Sequence, residues 1–316
     1  MKAIITHLIV ATTMVVLAGN TLSADETVGK QWPASQLASI DQVDHTAFNE
    51  LLQKYVDTDG GVNYAAWHKD PASRKKLTTY IEMLSCANPQ LQNTREAEMA
   101  YWINAYNAVT IEGILRVYPT TSIKNHTKVI GQNIWKRLWF QYGGTGRINL
   151  ESIEHQKLRK MGDARIHFAI VCASIGCPRL LNEAYTSQQL AKQLQVNTQD
   201  FFSRSQNLQF DPNRRVLRMS KIMEWYGTDF GPTTNDQIRA LASYFPQNVQ
   251  AQLSQGGYSV GYLGYDWNLN AQKPGSSAAA KGSAAKPAGS ATTTTTAPRG
   301  SGTTTPRAVP SGSGGR

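Results

Sequence analysis

The sequence has 316 residues, 41% hydrophobic and 17% charged, with a formal net charge of +10 and three cysteines. Six basic residues and no acid lie in 271–316 and one basic residue lies in the first 24, leaving 25 basic against 22 acidic side chains over 25–270, net +3. That balance excludes a strongly basic nucleic-acid surface on the folded part, and the length suits one domain with a sizeable core.

Residues 1–24 combine Lys2, an apolar stretch from Ile4 to Ala18, and Leu22-Ser23-Ala24 before Asp25, the layout of a secretory signal peptide cleaved after Ala24. The stretch is short for a membrane anchor and is broken by Thr6 and His7. No later segment is apolar enough to span, so the mature chain is expected to be periplasmic or secreted, where disulfides persist. Residues 25–40 read as a lead-in and 41–270 as the domain.

Apolar residues at 48, 51, 52, 55 and 56 predict a helix over 44–56 with Asp44 as N-cap. VNY (62–64) reads as a short extended piece, and Asp70-Pro71 opens a helix to about Cys86. Asn93 with Glu96 predicts a capping box for a long helix ending before Pro119. RLWFQYGGTGRINL reads as a hairpin, LESIEHQKLRK (150–160) as a short helix, and RIHFAIVC as a buried strand. A helix is expected from Pro178, and Thr186 with Gln189 should cap another that reaches Phe202. LQFDPNRRVLRM predicts a second hairpin, short helices cover 221–226 and 234–244, and VGYLGYDW closes the domain as a strand. These elements predict a single α+β domain, several helices packed on a mostly antiparallel sheet. Residues 271–316, with no aromatic and no acid, read as a disordered basic tail whose charge suits weak contact with acidic cell-envelope polymers.

Polar residues in apolar settings mark the candidate site. Asn104 occupies the core stripe of the long helix and Asn107 lies one turn on; a buried amide is costly unless it is hydrogen-bonded to something specific. Strand alternation puts His167 and Cys172 on opposite faces. Cys177 before Pro178 takes an N-cap position, where helix N–H groups favour a thiolate. A neighbouring imidazole would complete a Cys–His pair, Glu154 could orient His167, and Ser174 would supply a donor. Four readings of the cysteines stay open: a Cys172–Cys177 disulfide, a metal site with His155 and His167, small core residues, or a reactive Cys177.

YVDTDGGVNYAAW, YWINAYNAVTI, LESIEHQKLRK, RIHFAIVCASIGCPRL, MEWYGTDF and YLGYDWNLN together resemble the domain-of-unknown-function family 547, in order from about Tyr55 to Asn270. The resemblance implies an exported protein, as the family's bacterial members are; its plant members join the domain to a leucine-zipper region, which implies a module rather than a fixed pathway. Its hallmark positions fall on Asn104, Asn107, His167, Cys172, Ser174, Cys177 and Pro178. Many relatives have a proline where Arg179 stands and a serine where Gly176 stands. A polar residue on a helix followed by a histidine is also similar to the papain and transglutaminase-like layout, though here the cysteines follow the histidine.

Two functions are carried forward. One is a cysteine-dependent hydrolase or acyl transferase acting on an amide or thioester, with Cys177 as nucleophile, His167 as base, Asn104 or Glu154 as orienter, and Asn107, Cys172 and Ser174 as binding residues. The other is a non-catalytic binding or scaffold domain with a structural Cys172–Cys177 disulfide. No cofactor, resident metal or nucleic-acid partner is expected.

Overall fold

A computed structural model describes residues 25–126 and 134–273. The predicted signal segment and residues 274–316 of the predicted tail lie outside the described residues. The chain runs β1 (Glu26–Val28), α1 (Thr46–Tyr55), α2 (Tyr64–Lys69), α3 (Pro71–Leu84), α4 (Arg95–Val117), α5 (Ile134–Arg137), β2 (Leu138–Tyr142) and β3 (Gly146–Asn149). There follow α6 (Leu150–Ser152), α7 (Leu190–Ser203), β4 (Leu208–Asp211), β5 (Val216–Met219), α8 (Lys221–Tyr226), α9 (Thr234–Leu241), α10 (Gln247–Leu253) and β6 (Ser259–Tyr262). The domain is α+β. No helix among the described residues is long and apolar enough to cross a membrane.

Local chemistry starts most helices where the residues predict. Asp70 caps α3, its Oδ1 accepting from the N–H groups of Ala72 and Ser73, each at 3.0 Å, with Pro71 supplying a helical φ at no hydrogen-bond cost. Asp44, expected as the N-cap of α1, lies one residue before the actual cap His45 and accepts from Thr46 N at 2.9 Å. The cap of α4 differs from expectation: Thr94 accepts from Ala97 N, while Asn93 turns away to accept from Ile40 N at 2.7 Å. Ahead of α7 the side chain of Gln193 accepts from Thr186 N at 3.1 Å, in place of the expected Thr186–Gln189 box. VNY is not extended throughout, because Asn63 caps α2.

The expected single, mostly antiparallel sheet is replaced by two small mixed sheets. In the first, β2 pairs parallel with β1 and antiparallel with β3; in the second, β5 pairs antiparallel with β4 and parallel with β6. Both predicted hairpins form, with Phe140 opposite Ile148 and Phe210 opposite Leu217. The long helix α4 is buried on nearly every face and centres the larger core. A smaller core gathers Phe168, Phe201, Phe202, Leu217, Met219, Ile222 and Phe245 behind the second sheet, and Tyr265 packs against both.

RIHFAIVC is not a strand. Ala164–Phe168 form a 3₁₀ helix capped by Asp163, and an irregular segment continues to the cysteines. Every residue from Ile166 to Val171 is buried, and an unbroken apolar run carries no period to distinguish strand from helix. Nor does a helix follow Pro178, as residues 178–189 are loop and turn. The chain closes by running back along the cysteine turn. Past the expected domain end at 270, Ala271 bridges Val62, and Gln272 N donates to Val62 O at 3.0 Å.

Candidate active site

Cys172 and Cys177 are joined in a disulfide, and Cys86 is the free cysteine. The turn between them is held from outside by the returning C-terminal segment. Ile175 N donates to Asn268 O and Gly176 N to Asp266 O, both at 2.8 Å, and Asn270 N donates to Ala173 O at 3.2 Å. Ala173 sits at φ 60°, a left-handed conformation that costs a side-chain-bearing residue on the order of 1 kcal/mol. The strain is next to the sulfur.

Donors crowd that sulfur. Cys172 N donates to Cys177 Sγ at 3.1 Å, the Tyr265 hydroxyl lies 3.1 Å from Cys177 Sγ and 3.2 Å from Cys172 Sγ, and Ser174 Oγ lies 3.5 Å and 3.1 Å from the same two atoms. Bridged sulfurs carry no hydrogen, so any hydrogen bond to them is donated by a hydroxyl or by the Cys172 N–H. Tyr265 and Ser174 also share a hydrogen bond of 2.8 Å. Burial pushes the Tyr265 phenol up to about 12, keeping it a donor at neutral pH. The expected N-cap origin of a Cys177 thiolate is therefore corrected: no helix starts there, and the favourable donors are one N–H and one hydroxyl, the proton of the other being used in the Tyr265–Ser174 bond.

The bridge faces a cleft of about 280 Å³ walled by Tyr106, Trp135, Trp225, Tyr226, Tyr265 and Trp267. His167, Glu154 and His155 line the same cleft. Leu150–Ser152 widen into a π-helical turn over Ile153–Leu158, and this turn presents Glu154 and His155. Such turns are rare and recur at functional sites.

Glu154 does not orient His167. That role falls to Asp229, whose Oδ2 lies 2.8 Å from His167 Nε2. Arg159 grips the same carboxylate with Nε at 2.7 Å and Nη2 at 2.6 Å. Burial dominates the imidazole and lowers it to about 4, outweighing the bond to Asp229. The Asp229 carboxylate is depressed to about 2, by Arg159 first and then by His167. His167 is thus neutral at pH 7, stacked on Tyr226 with ring centroids 4.2 Å apart. Among the described residues no hydrogen bond links it to either sulfur. Burial raises Glu154, while the Tyr226 hydroxyl and the nearby His155 and Arg159 pull the other way.

Asn104 and Asn107 stand apart from the cleft and do structural work. Asn107 donates to Ala169 O at 3.0 Å and accepts from Val171 N at 2.9 Å; Asn104 does the same to Tyr185, at 2.8 and 2.9 Å. Each amide imitates a neighbouring strand, giving a buried loop both bonds it needs. This is why the 166–171 run needs no sheet, with Asn197 Nδ2 taking Phe168 O at 2.9 Å as a third such bond.

The structure therefore gathers Cys172, Ser174, Cys177, His167 and Glu154, and leaves Asn104 and Asn107 behind them. Among the described residues no three of His, Cys, Asp and Glu stand together as a metal site, the two sulfurs being bonded to each other. A larger cleft of about 740 Å³, between α1 and residues 179–196, holds none of the candidates. Sequence reasoning missed Asp229, Tyr226, Trp225, Tyr265 and Trp267. Their only signal was membership of the short aromatic motifs MEWYGTDF and YLGYDWNLN, whose residues come together only in three dimensions.

Residues 90–202 match the model of a family described as Protein of unknown function, DUF547. No curated protein matches the chain, and no solved structure matches it.

Proposed function

From the match of residues 90–202 to the DUF547 family, we propose that the chain is an exported ligand-binding domain whose site is the aromatic cleft beside the Cys172–Cys177 bridge. One observation carries the choice: the two sulfurs are joined to each other. A bridged cysteine has no thiolate with which to attack an amide or thioester, so the hydrolase reading has no nucleophile in this state. What the cleft offers instead is recognition. Six aromatic rings supply apolar area, and Glu154, His155 and His167 supply a few polar groups, the usual make-up of a small-ligand site. Trp225 is 44% exposed although it packs on Tyr265 at 4.9 Å, leaving one face for a ligand.

The test is a fragment screen followed by ¹⁹F NMR of protein labelled with fluorotryptophan. The expected result is that hits perturb Trp225 and Trp267 and that Trp225→Ala abolishes them. Hits confined to the larger cleft by α1 would overturn the assignment, as would rapid alkylation of Cys177 by iodoacetamide without reductant.

A further inference from the structure

We infer that the Cys172–Cys177 bridge is a reactive disulfide that exchanges with a thiol entering the aromatic cleft, Cys172 being the sulfur attacked and Cys177 the leaving group. This rests on the cleft being the binding site and adds the chemical class of its ligand, a cysteine thiol.

Three features point the same way. The first is asymmetry of access: Cys172 is half-buried, whereas Cys177 is 7% exposed. Cys172 Sγ is thus the sulfur that an incoming thiolate can reach. The second is asymmetry of support. The Cys172 N–H is aimed at Cys177 Sγ alone, whereas the Tyr265 hydroxyl stands between the two sulfurs and Ser174 Oγ lies nearer to Cys172 Sγ. A backbone donor fixed on one sulfur stabilises the thiolate that departs there, and the better leaving thiolate sets which bond arrangement is favoured. The third is economy of purpose. The bridge spans a sequence separation of 5, so it constrains the unfolded chain little compared with a long-range disulfide. The turn is already secured by the backbone bonds from Asp266, Asn268 and Asn270. A covalent staple there adds little that the hydrogen bonds do not, and the left-handed Ala173 is retained beside it.

The step balances as follows. A substrate thiol loses its proton to solvent, and its thiolate attacks Cys172 Sγ. A new S–S bond forms between substrate and Cys172, the Cys172–Cys177 bond breaks, and its electron pair leaves on Cys177. A second substrate thiolate then attacks the substrate sulfur of this mixed disulfide, releasing Cys172 as thiolate. Two thiols lose two electrons and two protons and become a disulfide, and the bridge takes up the electrons.

The experiment uses the full mature chain in its bridged form and two probes, glutathione and the peptide acetyl-Ala-Cys-Phe-amide. Reactions are quenched in acid at early times and the adducts mapped by mass spectrometry. The expected adduct is on Cys172, formed faster in the folded protein than in the same protein unfolded in guanidinium. Tyr265→Phe keeps the ring and should slow adduct formation about tenfold, the worth of one hydrogen bond to a charged group. Should that variant fail to fold, Ser174→Ala provides the same test with a smaller slowing. A preference for the peptide over glutathione identifies a polypeptide thiol; the reverse identifies a small one. Adducts on Cys177, or exchange no faster than in the unfolded chain, would overturn the inference. Binding of the serine analogue acetyl-Ala-Ser-Phe-amide, read by tryptophan fluorescence, separates the two proposals: binding without exchange removes the inference alone.

Discussion

Gly176 lies flush against the ring of Tyr265: a Cβ at 176 would fall 2.9 Å from ring carbons Cδ2 and Cε2, and 2.9 Å from Asp266 N. The ring cannot slide away freely, because Trp267 and Trp225 back it at 4.5 and 4.9 Å. Gly176→Ser should therefore push Tyr265 off the sulfurs and cost about 1–3 kcal/mol of stability, the usual penalty of overpacking. Urea denaturation measures the cost, and the rate of bridge reduction reports the lost phenol contact. Unchanged values for both would mean that the ring tolerates the side chain.

The acid limb of stability should carry the signature of His167. Its folded pKa is about 4 against about 6.5 unfolded, so between those values the unfolded chain takes up a proton that the fold refuses. Stability is full above pH 6.5 and falls by roughly 3 kcal/mol as pH drops to 4. His45, also lowered to about 4 by burial, adds to the slope. Glu154 acts with the opposite sign, since burial raises it and the fold holds its proton longer than the unfolded chain. His167→Gln should flatten the limb and Glu154→Gln should steepen it; the same response in both variants would refute this assignment.

Asn104 and Asn107 should be costly to replace even though neither lines the cleft. Asn107→Ala leaves Val171 N and Ala169 O buried without partners, and Asn104→Ala does the same to Tyr185. Each orphaned group costs about 1–3 kcal/mol. Equilibrium unfolding of the two variants measures this, and a loss under 0.5 kcal/mol would require the loops to have found other partners.

Chains ending at 273 and at 270 should differ. The first keeps the bonds of Ala271 and Gln272 to Val62, together with Gln272 Nε2 to Tyr55 O at 3.3 Å. The second loses them and should melt several degrees lower, matching a loss of about 1–2 kcal/mol. Removing only 274–316 should leave the melting temperature unchanged, because that composition has no large apolar side chains with which to dock.

Export predicts a processed terminus. N-terminal sequencing of protein recovered from outside the cytoplasm should begin at Asp25, after the small residues Ser23 and Ala24. Material that still carries Met1 would argue for an anchored chain instead.

Helices with strong local signals were legible from residues alone. Asp70-Pro71 and the apolar stripe of α1 are examples, because caps and periodicity act within one or two turns of chain. The hairpins were equally plain, since Gly-Gly and Asp-Pro-Asn mark their turns between short runs rich in apolar and aromatic residues. The 166–177 region was not, for a physical reason. Its backbone is satisfied by amides from Asn107, 60 or more residues away, and its turn by a segment 90 residues downstream. The parity that set His167 against Cys172 assumed a strand whose hydrogen bonds had gone to side chains. Asp229 escaped notice because a lone acid at the end of a short 3₁₀ turn resembles any solvated acid until Arg159 and His167 converge on it.

The returning segment at 265–272 also fixes when the site can exist. Synthesis delivers the chain from its N-terminus, so Cys172 and Cys177 arrive about 90 residues ahead of Tyr265 and of the carbonyls that hold their turn. Over that interval the pair has no cradle, and either thiol is open to oxidation with Cys86 or with a passing protein. The residues that match the family end at 202, before Asp229, Tyr265 and Trp267 have been made. A fragment trimmed to that match would carry both cysteines and Ser174 but neither Tyr265 nor the carbonyls of Asp266 and Asn268 that hold their turn, and the cleft would be the last part of the domain to form.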